Sequence, residues 1–156
     1  MLKSFLTVAL AVSVLAGPVR AAEKEIVGKA VALDGATLRV TPDGAKKPVT
    51  VRISAVEAPE MSVWPWGPRA RGTLDLFLRN YDSRVACTPK GQDELMLVGQ
   101  CRMVADNREQ ELDVGAIMVR SGYAVENRAV GGGVYSKAEV DAWCNNLGVW
   151  AKFWAK

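Results

Sequence analysis

The amino-acid sequence predicts an α+β fold, mainly β, in which a five-stranded OB-type barrel carries three helices. The chain has 156 residues and 49% of them are apolar, which is enough for one domain with a single buried core. Its first third reads as three short strands separated by turn signals. A helix then falls between the third and fourth strands. The resulting order, β-β-β-α-β-β-α-α, is the sequence order expected of an OB-type barrel.

The first three strands are predicted to form a meander. They span Glu25–Leu33, Ala36–Thr41 and Val49–Ala55, and Ala36–Thr41 alternates apolar and polar residues as a half-buried strand does. Asp34-Gly35 between the first two strands is a hairpin turn signal. Pro42-Asp43-Gly44 is a second turn, after which the chain enters the third strand.

The first helix is predicted to open at Gly67-Pro68. Proline suits the first helical position because the N–H that it lacks would have no partner there. The apolar residues that follow recur at helical spacing and fall on one face, as expected of a helix packed on a sheet. These residues are Ala70, Leu74, Phe77 and Leu78.

The second half of the chain supplies two more strands and two more helices. The strands are predicted at Val85–Thr88 and Leu95–Val104, around a loop over Pro89–Glu94. A short helix over Leu112–Arg120 is closed by glycine, with Val114, Ile117 and Met118 inward. The last helix starts at a capping box, Ser136-Lys137-Ala138-Glu139, and ends at Asn146 before Gly148.

The composition excludes several classes of site. The chain contains no histidine, so Ser-His-Asp and Cys-His catalysis and histidine-ligated zinc or haem are ruled out. Three cysteines are too few for a zinc site made of four thiolates. Any catalysis must therefore rest on carboxylates, arginine, lysine, tyrosine or a hard metal ion.

Residues 1–21 have the layout of a secretory signal peptide, with a basic start at Lys3, a short apolar stretch and small residues before a cut ahead of Ala22. Ser4–Gly17 is shorter than the roughly 20 residues that span a bilayer. We therefore expect an exported, periplasmic or secreted protein whose single domain covers residues 22–156. Removal of residues 1–21 lowers the net charge from +3 to +1. We expect a monomer without stable membrane association.

Export would allow the cysteines to pair. Cys87 and Cys101 could close a loop of 15 residues, which is worth about 3 kcal/mol in the chain-entropy model. Cys144 would then be left over. Other pairings, and three buried free thiols, remain open alternatives at this point.

The chain from about Glu25 to Trp154 resembles the staphylococcal nuclease (thermonuclease) family. The resemblance rests on motifs that follow one another in the family's order. They are the Asp-Gly-x-Thr turn within Val31–Val40, Val51–Glu60 with Ala58-Pro59-Glu60, Trp66–Ala70, Met118–Ala124, and the ending Tyr135…Glu139…Ala142…Gly148-Val149-Trp150. The family fold is a five-stranded OB barrel with three helices, as the strand order predicts.

The resemblance implies hydrolysis of phosphodiester bonds in DNA or RNA. Family members use Ca²⁺, an acidic general base and two arginines that face the scissile phosphate. Fixed guanidinium groups and a cation stabilise the negative charge that develops on the phosphate, and a carboxylate takes the proton of the attacking water. The matching positions here are Arg52 for the first arginine and Glu60 for the base.

The position of the second arginine depends on the alignment. Counting back without gaps from Gly122-Tyr123-Ala124 places it on Arg102. Following the strand pattern instead places it near Met96, so that the second arginine is absent, and leaves an insertion in Asp106–Glu111. The ungapped alignment forces polar residues 106–108 into a strand core, which is unfavourable. Arg102 is nevertheless the only residue that could fill the role.

The metal positions depart from the family pattern. Where the family's turn reads Asp-Gly-Asp-Thr, this chain has Asp34-Gly35-Ala36-Thr37, so a methyl group replaces one Ca²⁺ ligand. Glu57 matches the second carboxylate, and Ala58 replaces a threonine whose backbone carbonyl would still be present. Because Ca²⁺ takes six to eight oxygens, the loss weakens the site unless Asp34 or water substitutes.

Two functions therefore stand as alternatives. One is an exported nuclease assisted by Ca²⁺, with Glu60 as base, Arg52 and Arg102 as clamps, and Glu57 and Asp34 at the metal. The other is a non-catalytic OB-fold module that binds single-stranded DNA or RNA, or a protein. Stacking on exposed aromatics such as Tyr123, Tyr135 or Trp66 would suit the second function. Core or rim packing is the alternative for these three rings, because large aromatic side chains usually stay mostly buried. Trp143, Trp150 and Trp154 are interpreted as helix-packing residues.

Overall fold

A computed structural model describes residues 24–93, 96–104 and 110–151. The predicted signal peptide, residues 1–21, lies outside the described residues, as does Trp154. The strands are β1 Ile26–Ala32, β2 Thr37–Pro42, β3 Val49–Ile53, β4 Val56–Glu57, β5 Arg84–Asp93, β6 Met96–Met103, β7 Leu112–Asp113 and β8 Val125–Glu126. The helices are α1 Trp66–Arg79, α2 Val114–Arg120, α3 Arg128–Gly131 and α4 Ser136–Cys144, followed by a 3₁₀ turn at Gly148–Trp150.

Strands β1, β2, β3, β5 and β6 close into a barrel, which confirms the predicted OB-type architecture. The neighbours run β3-β2-β1-β5-β6-β7, and β3 also pairs with β6. That closing pair is parallel, whereas the other barrel pairs are antiparallel. The parallel register sets Arg52 beside Val98, with Val51 and Ile53 on either side of Arg52 buried in the barrel interior.

The core lies inside the barrel and between the barrel and the helices. Ala70, Leu74 and Leu78 of α1 are buried, and Phe77 packs against them, as the helical spacing predicted. Helix α2 buries Val114, Met118 and Val119, and α4 contributes two small residues, Ala138 and Ala142. Alanines at this contact let α4 approach α2 closely.

Cys87 and Cys101 form a disulfide across β5 and β6. The two residues are direct partners in the antiparallel register, with Cα atoms 4.0 Å apart. Cys144 is a free thiol on the exposed side of α4. The pairing is thus the first of the alternatives that the sequence left open.

The structure differs from the sequence predictions at several points. The predicted loop over Pro89–Glu94 is strand as far as Asp93, because β5 continues past a register shift between Pro89 and Gly91. Glu94 lies outside the described residues. Helix α1 begins at Trp66 rather than at Pro68, and proline is tolerated there because first-turn N–H groups have no helical partner. A one-turn helix, α3, was not predicted.

The predicted capping box at Ser136–Glu139 does not form. Ser136 is already helical, and its hydroxyl donates to Glu126 Oε2 at 3.1 Å instead of capping α4. Glu139 accepts from the backbone N–H of Glu126 at 3.2 Å. Because Glu126 is buried, its carboxylate and its backbone N–H need hydrogen-bond partners, and Ser136 and Glu139 of α4 supply them instead of capping the helix.

Helix α2 is shorter than predicted because Leu112 and Asp113 belong to a strand. Asp113 is the residue that starts the helix, and its Oδ1 accepts from the backbone N–H of Ala116 at 2.8 Å. Among the described residues, no helix combines the length and apolar character needed to cross a membrane.

Candidate functional site

A cleft on the outside of the barrel brings together four of the five residues predicted for the site. The cleft has a volume of about 310 Å³ and lies where the β1–β2 turn, β3 and the segment after β4 meet. Its lining includes Asp34, Arg52, Glu57 and Glu60 among the predicted residues. The remaining lining residues are Ala36, Thr37, Ala58 and Pro59.

The β1–β2 turn is fixed by Asp34. Its Oδ1 accepts a hydrogen bond from the backbone N–H of Ala36 at 2.7 Å, the arrangement that lets aspartate close a turn. Gly35 packs so closely that a Cβ there would lie 2.6 Å from Cβ of Ala58 and 2.7 Å from Cβ of Ala70. The turn is therefore packed against Ala58, which lines the cleft, and against Ala70 of α1.

Arg52 points out of the barrel into the cleft because its neighbours on β3 point inward. It pairs with Thr37 on β2 and with Val98 on β6, so its backbone is held on both sides. Within residues 24–93, 96–104 and 110–151, no hydrogen bond or ion pair engages its guanidinium group. A half-buried arginine of this kind keeps its donors available for an anion.

Glu57 is held by a residue that the sequence analysis did not single out. Asn127 Nδ2 donates to Glu57 Oε1 at 2.7 Å, and β4 and β8 pair Glu57 with Val125. The Asn127 Oδ1 atom accepts from the backbone N–H of Ala129 at 3.1 Å and so begins α3. Asparagine before a short helix is a cap signal readable from sequence, but its contact with Glu57 is not.

Glu60 lies at the exposed edge of the cleft. Its Oε2 accepts from the hydroxyl of Ser62 at 3.2 Å, and its backbone carbonyl accepts from the N–H of Val63 at 2.9 Å. Gly67 sits against that carbonyl, since a Cβ at Gly67 would collide with the Glu60 oxygen. The first turn of α1 thus fixes the backbone that carries the predicted base.

Arg102, the predicted second clamp, lies elsewhere. It pairs with Asp113 of β7 and with Ala86 of β5, and it lines a different pocket with Thr88, Gln100, Glu111 and Asp113. It is four residues beyond Val98, the β6 neighbour of Arg52, and strand rise makes that about 13 Å. The structure therefore does not bring Arg102 into the cleft.

The Arg102 guanidinium is committed to two carboxylates. It forms ion pairs with Glu25 and with Glu111, and its Nη2 donates to Glu25 Oε2 at 2.9 Å. These hydrogen bonds lower the pKa of Glu25, and the hydrogen bond with Glu25 raises the pKa of Arg102.

The donor set falls short of the Ca²⁺ site that the resemblance implies. Asp34 Oδ1 accepts a hydrogen bond within the turn, and Glu57 Oε1 accepts one from Asn127. Ala36 has a methyl group at the position of a ligand. In the described part of the chain, no three acidic or cysteine side chains converge closely enough to hold a metal ion. Since Ca²⁺ takes six to eight oxygens, these residues do not fit a site of the family's kind.

The three aromatic rings considered for stacking are packed into the fold, which is the alternative that the sequence analysis gave for them. Trp66 and Tyr135 are buried and Tyr123 is half-buried, so these rings serve packing rather than stacking on a ligand. Trp66 stacks on Tyr123 with ring centroids 6.4 Å apart. Trp143, interpreted as a packing residue, is 62% exposed, because the inward face of α4 is taken by its alanines.

Trp64 is the large side chain that the sequence analysis missed. It is 81% exposed and sits between Glu60 and the start of α1. No hydrophobic pattern in the sequence predicts that it is exposed whereas Trp66, two residues later, is 6% exposed. The backbone turn between the two residues directs one ring into solvent and the other into the fold.

The Tyr135 hydroxyl donates to Asp113 Oδ1 at 2.9 Å. Burial of the ring raises the pKa of Tyr135, and the negative charge of Asp113 adds to the effect. A tyrosine held in its protonated form next to a helix cap is a structural element, and it links α4 to the start of α2.

A scan against models of known protein families gives no match for this chain, and a search of curated proteins gives none either.

Proposed function

We propose that this chain is a staphylococcal nuclease-like phosphodiesterase that hydrolyses DNA or RNA in the cleft between Arg52 and Glu60. One observation carries the proposal: a cation whose donors are uncommitted among the described residues and an exposed carboxylate line the same cleft. The motif order that resembles the nuclease family supports it, as does the barrel with which that resemblance agrees.

The proposed chemistry uses the two side chains at the phosphorus atom. Glu60 takes a proton from water, and the water oxygen forms a bond to phosphorus. Arg52 donates hydrogen bonds to the non-bridging oxygens, where negative charge grows in the transition state. The bond from phosphorus to one ester oxygen breaks, and the leaving alkoxide takes a proton from solvent. The products are a phosphate monoester and an alcohol.

The rate should be low for this class of enzyme. Arg102 is paired with Glu25 and Glu111 and does not line the cleft, so Arg52 alone stabilises the charge that develops on the phosphate. Loss of one charge-stabilising donor typically costs about 10²–10³ in rate. No step of the proposal depends on bound Ca²⁺, because the donor set does not fit it.

A second candidate function follows from the same two departures. The absence of Arg102 from the cleft and the methyl group of Ala36 favour a non-catalytic module that binds single-stranded nucleic acid through Arg52. Binding needs the cation and the open cleft but not the base. The two functions therefore differ in whether Glu60 matters for turnover.

Degradation of single-stranded DNA and RNA by residues 22–156 tests both, in Ca²⁺ and in chelator. We expect slow cleavage that Glu60→Gln lowers by about 10²–10⁴-fold, the usual contribution of a general base. Glu111→Gln is the matched control, since Glu111 is a carboxylate outside the cleft. Cleavage that persists in Glu60→Gln would refute the assigned base. Folded protein with binding but no cleavage would leave the second function.

We infer export as well, on the signal-peptide layout of residues 1–21. The disulfide between Cys87 and Cys101 supports it, because disulfides persist in oxidising compartments. Mass analysis of the protein purified from the periplasm of an expressing bacterium should give a chain that begins at Ala22. Recovery of the full chain from the cytoplasm, with both thiols reduced, would contradict export.

A further inference from the structure

The segment Met61–Pro65, called here the tryptophan loop, presents an apolar surface beside the cleft. Met61 is 40% exposed, Val63 48% and Trp64 81%. The segment begins directly after Glu60, a cleft residue, and ends at Pro65, directly before α1. An indole left almost wholly in water contributes little to the core, and three neighbouring exposed apolar side chains beside a cleft are typical of a ligand-binding or interaction surface.

The loop is held in place by its backbone. The N–H of Val63 donates to the carbonyl of Glu60 at 2.9 Å, and the N–H of Gly67 donates to the carbonyl of Val63 at 2.8 Å. The N–H of Trp64 donates to the carbonyl of Ser62 at 3.1 Å. A ring presented by a fixed turn loses little freedom when it binds a flat partner.

Two exposed arginines of α1, Arg69 and Arg71, lie near the loop and near the cleft respectively. The guanidinium of Arg69 lies 5.4 Å from the centroid of the Trp66 ring. Arg71 donates from Nε to the carbonyl of Ala32 at 3.3 Å, which places it by the β1–β2 turn that carries Asp34. Arg69 and Arg71 are both exposed. Cations and a stacking surface therefore adjoin the cleft that contains Arg52.

We propose that the tryptophan loop binds single-stranded nucleic acid, with Trp64 stacked on a base and Arg69 and Arg71 contacting the adjoining phosphates. The inference rests on the proposed function, since the strand continues into the Arg52 cleft. Aromatic faces combined with nearby cations are the means by which proteins hold single strands without reading sequence. In a duplex the bases are stacked on one another, so a single projecting ring has no free face to meet.

Equilibrium binding of a fluorescein-labelled eight-nucleotide oligothymidylate tests the proposal, by anisotropy at low salt. All variants carry Glu60→Gln so that the probe stays intact. Trp64→Ala should weaken binding by about 5- to 150-fold, the range for loss of one base–aromatic stack. Trp64→Phe keeps a stacking face and should stay within about threefold of the parent. Because Trp64 is exposed, its variants should keep the parent melting temperature.

Trp143→Ala is the matched control, since it removes an equally large exposed ring from α4. Its affinity should stay within about twofold of the parent, as for most surface substitutions. Arg69→Ala and Arg71→Ala should each reduce the salt dependence of binding by about 0.7 in the logarithmic slope. A matched duplex should bind more weakly than the single strand.

Equal affinity of Trp64→Ala and the parent would overturn the proposal. So would Trp64-dependent binding to vesicles of phosphatidylglycerol and phosphatidylcholine without Trp64-dependent binding of the oligonucleotide, because the loop would then be a membrane contact. Failure of the enzyme function looks different: hydrolysis by the Glu60 form is absent while the Trp64 effect on binding remains. Hydrolysis that Trp64→Ala leaves unchanged, together with unchanged binding, removes the loop proposal alone.

Discussion

Arg102 and Glu25 form a two-point contact between β6 and the residue that precedes β1, with both terminal nitrogens of the guanidinium donating to the carboxylate. Glu111 completes the arrangement from the other side. The arginine that an ungapped alignment assigns to the scissile phosphate therefore acts as a clamp between the start of the domain and the barrel.

The ion pair between Arg102 and Glu25 makes the free energy of unfolding depend on pH in the acidic range. The pKa of Glu25 is lowered by its hydrogen bonds from Arg102, so the pair stabilises the fold above the ordinary carboxyl pKa of 4.5. That contribution is lost as pH falls through the lowered folded-state pKa. Glu25→Gln should reduce the free energy of unfolding by about 0.2–1 kcal/mol at pH 7, as for a partly exposed pair. Urea unfolding should show the difference disappear once the carboxyl of Glu25 is protonated. An equal deficit in an Arg102→Ala background would contradict the pairing.

The same substitution should have different effects at Arg52 and at Arg102. Arg52→Ala removes the cation of the cleft and should lower nuclease activity by about 10²–10³-fold. Arg102→Ala should leave activity within about twofold of the parent, like a surface change outside the site, while lowering the melting temperature. Activity on single-stranded DNA and thermal melts measure the two effects. A large loss of activity in Arg102→Ala without a loss of stability would restore Arg102 to the reaction.

The disulfide should contribute measurable stability. Cys87 and Cys101 are both buried, so alanine is the suitable replacement for the pair. The loop that they close is worth about 3 kcal/mol in the unfolded chain, and urea unfolding of the double variant should show a loss of that order. Cys144→Ala, an exposed thiol, is the control and should be neutral. A parent protein whose midpoint does not respond to reductant would contradict this prediction.

The barrel could be predicted because each of its strands carries its own signal. Alternation marked β2, and Asp34-Gly35 and Pro42–Gly44 marked the turns that separate the first three strands. The face of α1 was predicted for the same reason, since its inward residues repeat every three or four positions. The predictions that were wrong concern residues whose contacts lie outside their own local segment. Ser136 resembles a cap, but its hydroxyl goes to buried Glu126, a choice that local spacing cannot reveal.

The grouping of candidate residues in one cleft was predictable where a single sequence motif contains them. Arg52, Glu57 and Glu60 lie within nine residues of one another, and the fold places them with Asp34 in one cleft. Arg102 could not be placed, because its direction depends on the β6 register and on Glu25, far away in sequence. Asn127 and Trp64 were missed for a related reason. The contact of Asn127 and the exposure of Trp64 follow from chain turns that leave no periodic signal.

Two glycines of α1 give a matched test of how the cleft is fixed. A Cβ at Gly67 meets the backbone of Glu60 and Met61, whereas a Cβ at Gly72 meets nothing within 4 Å. Gly67→Ala should destabilise the protein by about 1–3 kcal/mol through overpacking and displace Glu60. Gly72→Ala should instead stabilise it by about 0.4–1 kcal/mol, because alanine suits a helix better. Urea unfolding and nuclease assays check both. A neutral Gly67→Ala would show that the Glu60 backbone can yield.

Ala36→Asp restores the carboxylate that the family's turn carries and tests whether this position limits metal binding. Ala36 is 5% exposed and shares the cleft with Asp34 and Glu57. Without Ca²⁺ the new carboxylate adds a poorly solvated charge beside two others, so the melting temperature should fall. With Ca²⁺ it should recover, since three carboxylates then offer oxygens to one hard cation. Cleavage of single-stranded DNA should rise by about 10²–10³-fold in Ca²⁺ and drop again in chelator. Ala36→Asn has the same shape without the charge and should gain neither effect. If calorimetry detects no Ca²⁺ binding by a folded Ala36→Asp protein, the missing carboxylate is not what separates this cleft from a calcium site, and the commitment of Glu57 to Asn127 becomes the next cause to remove.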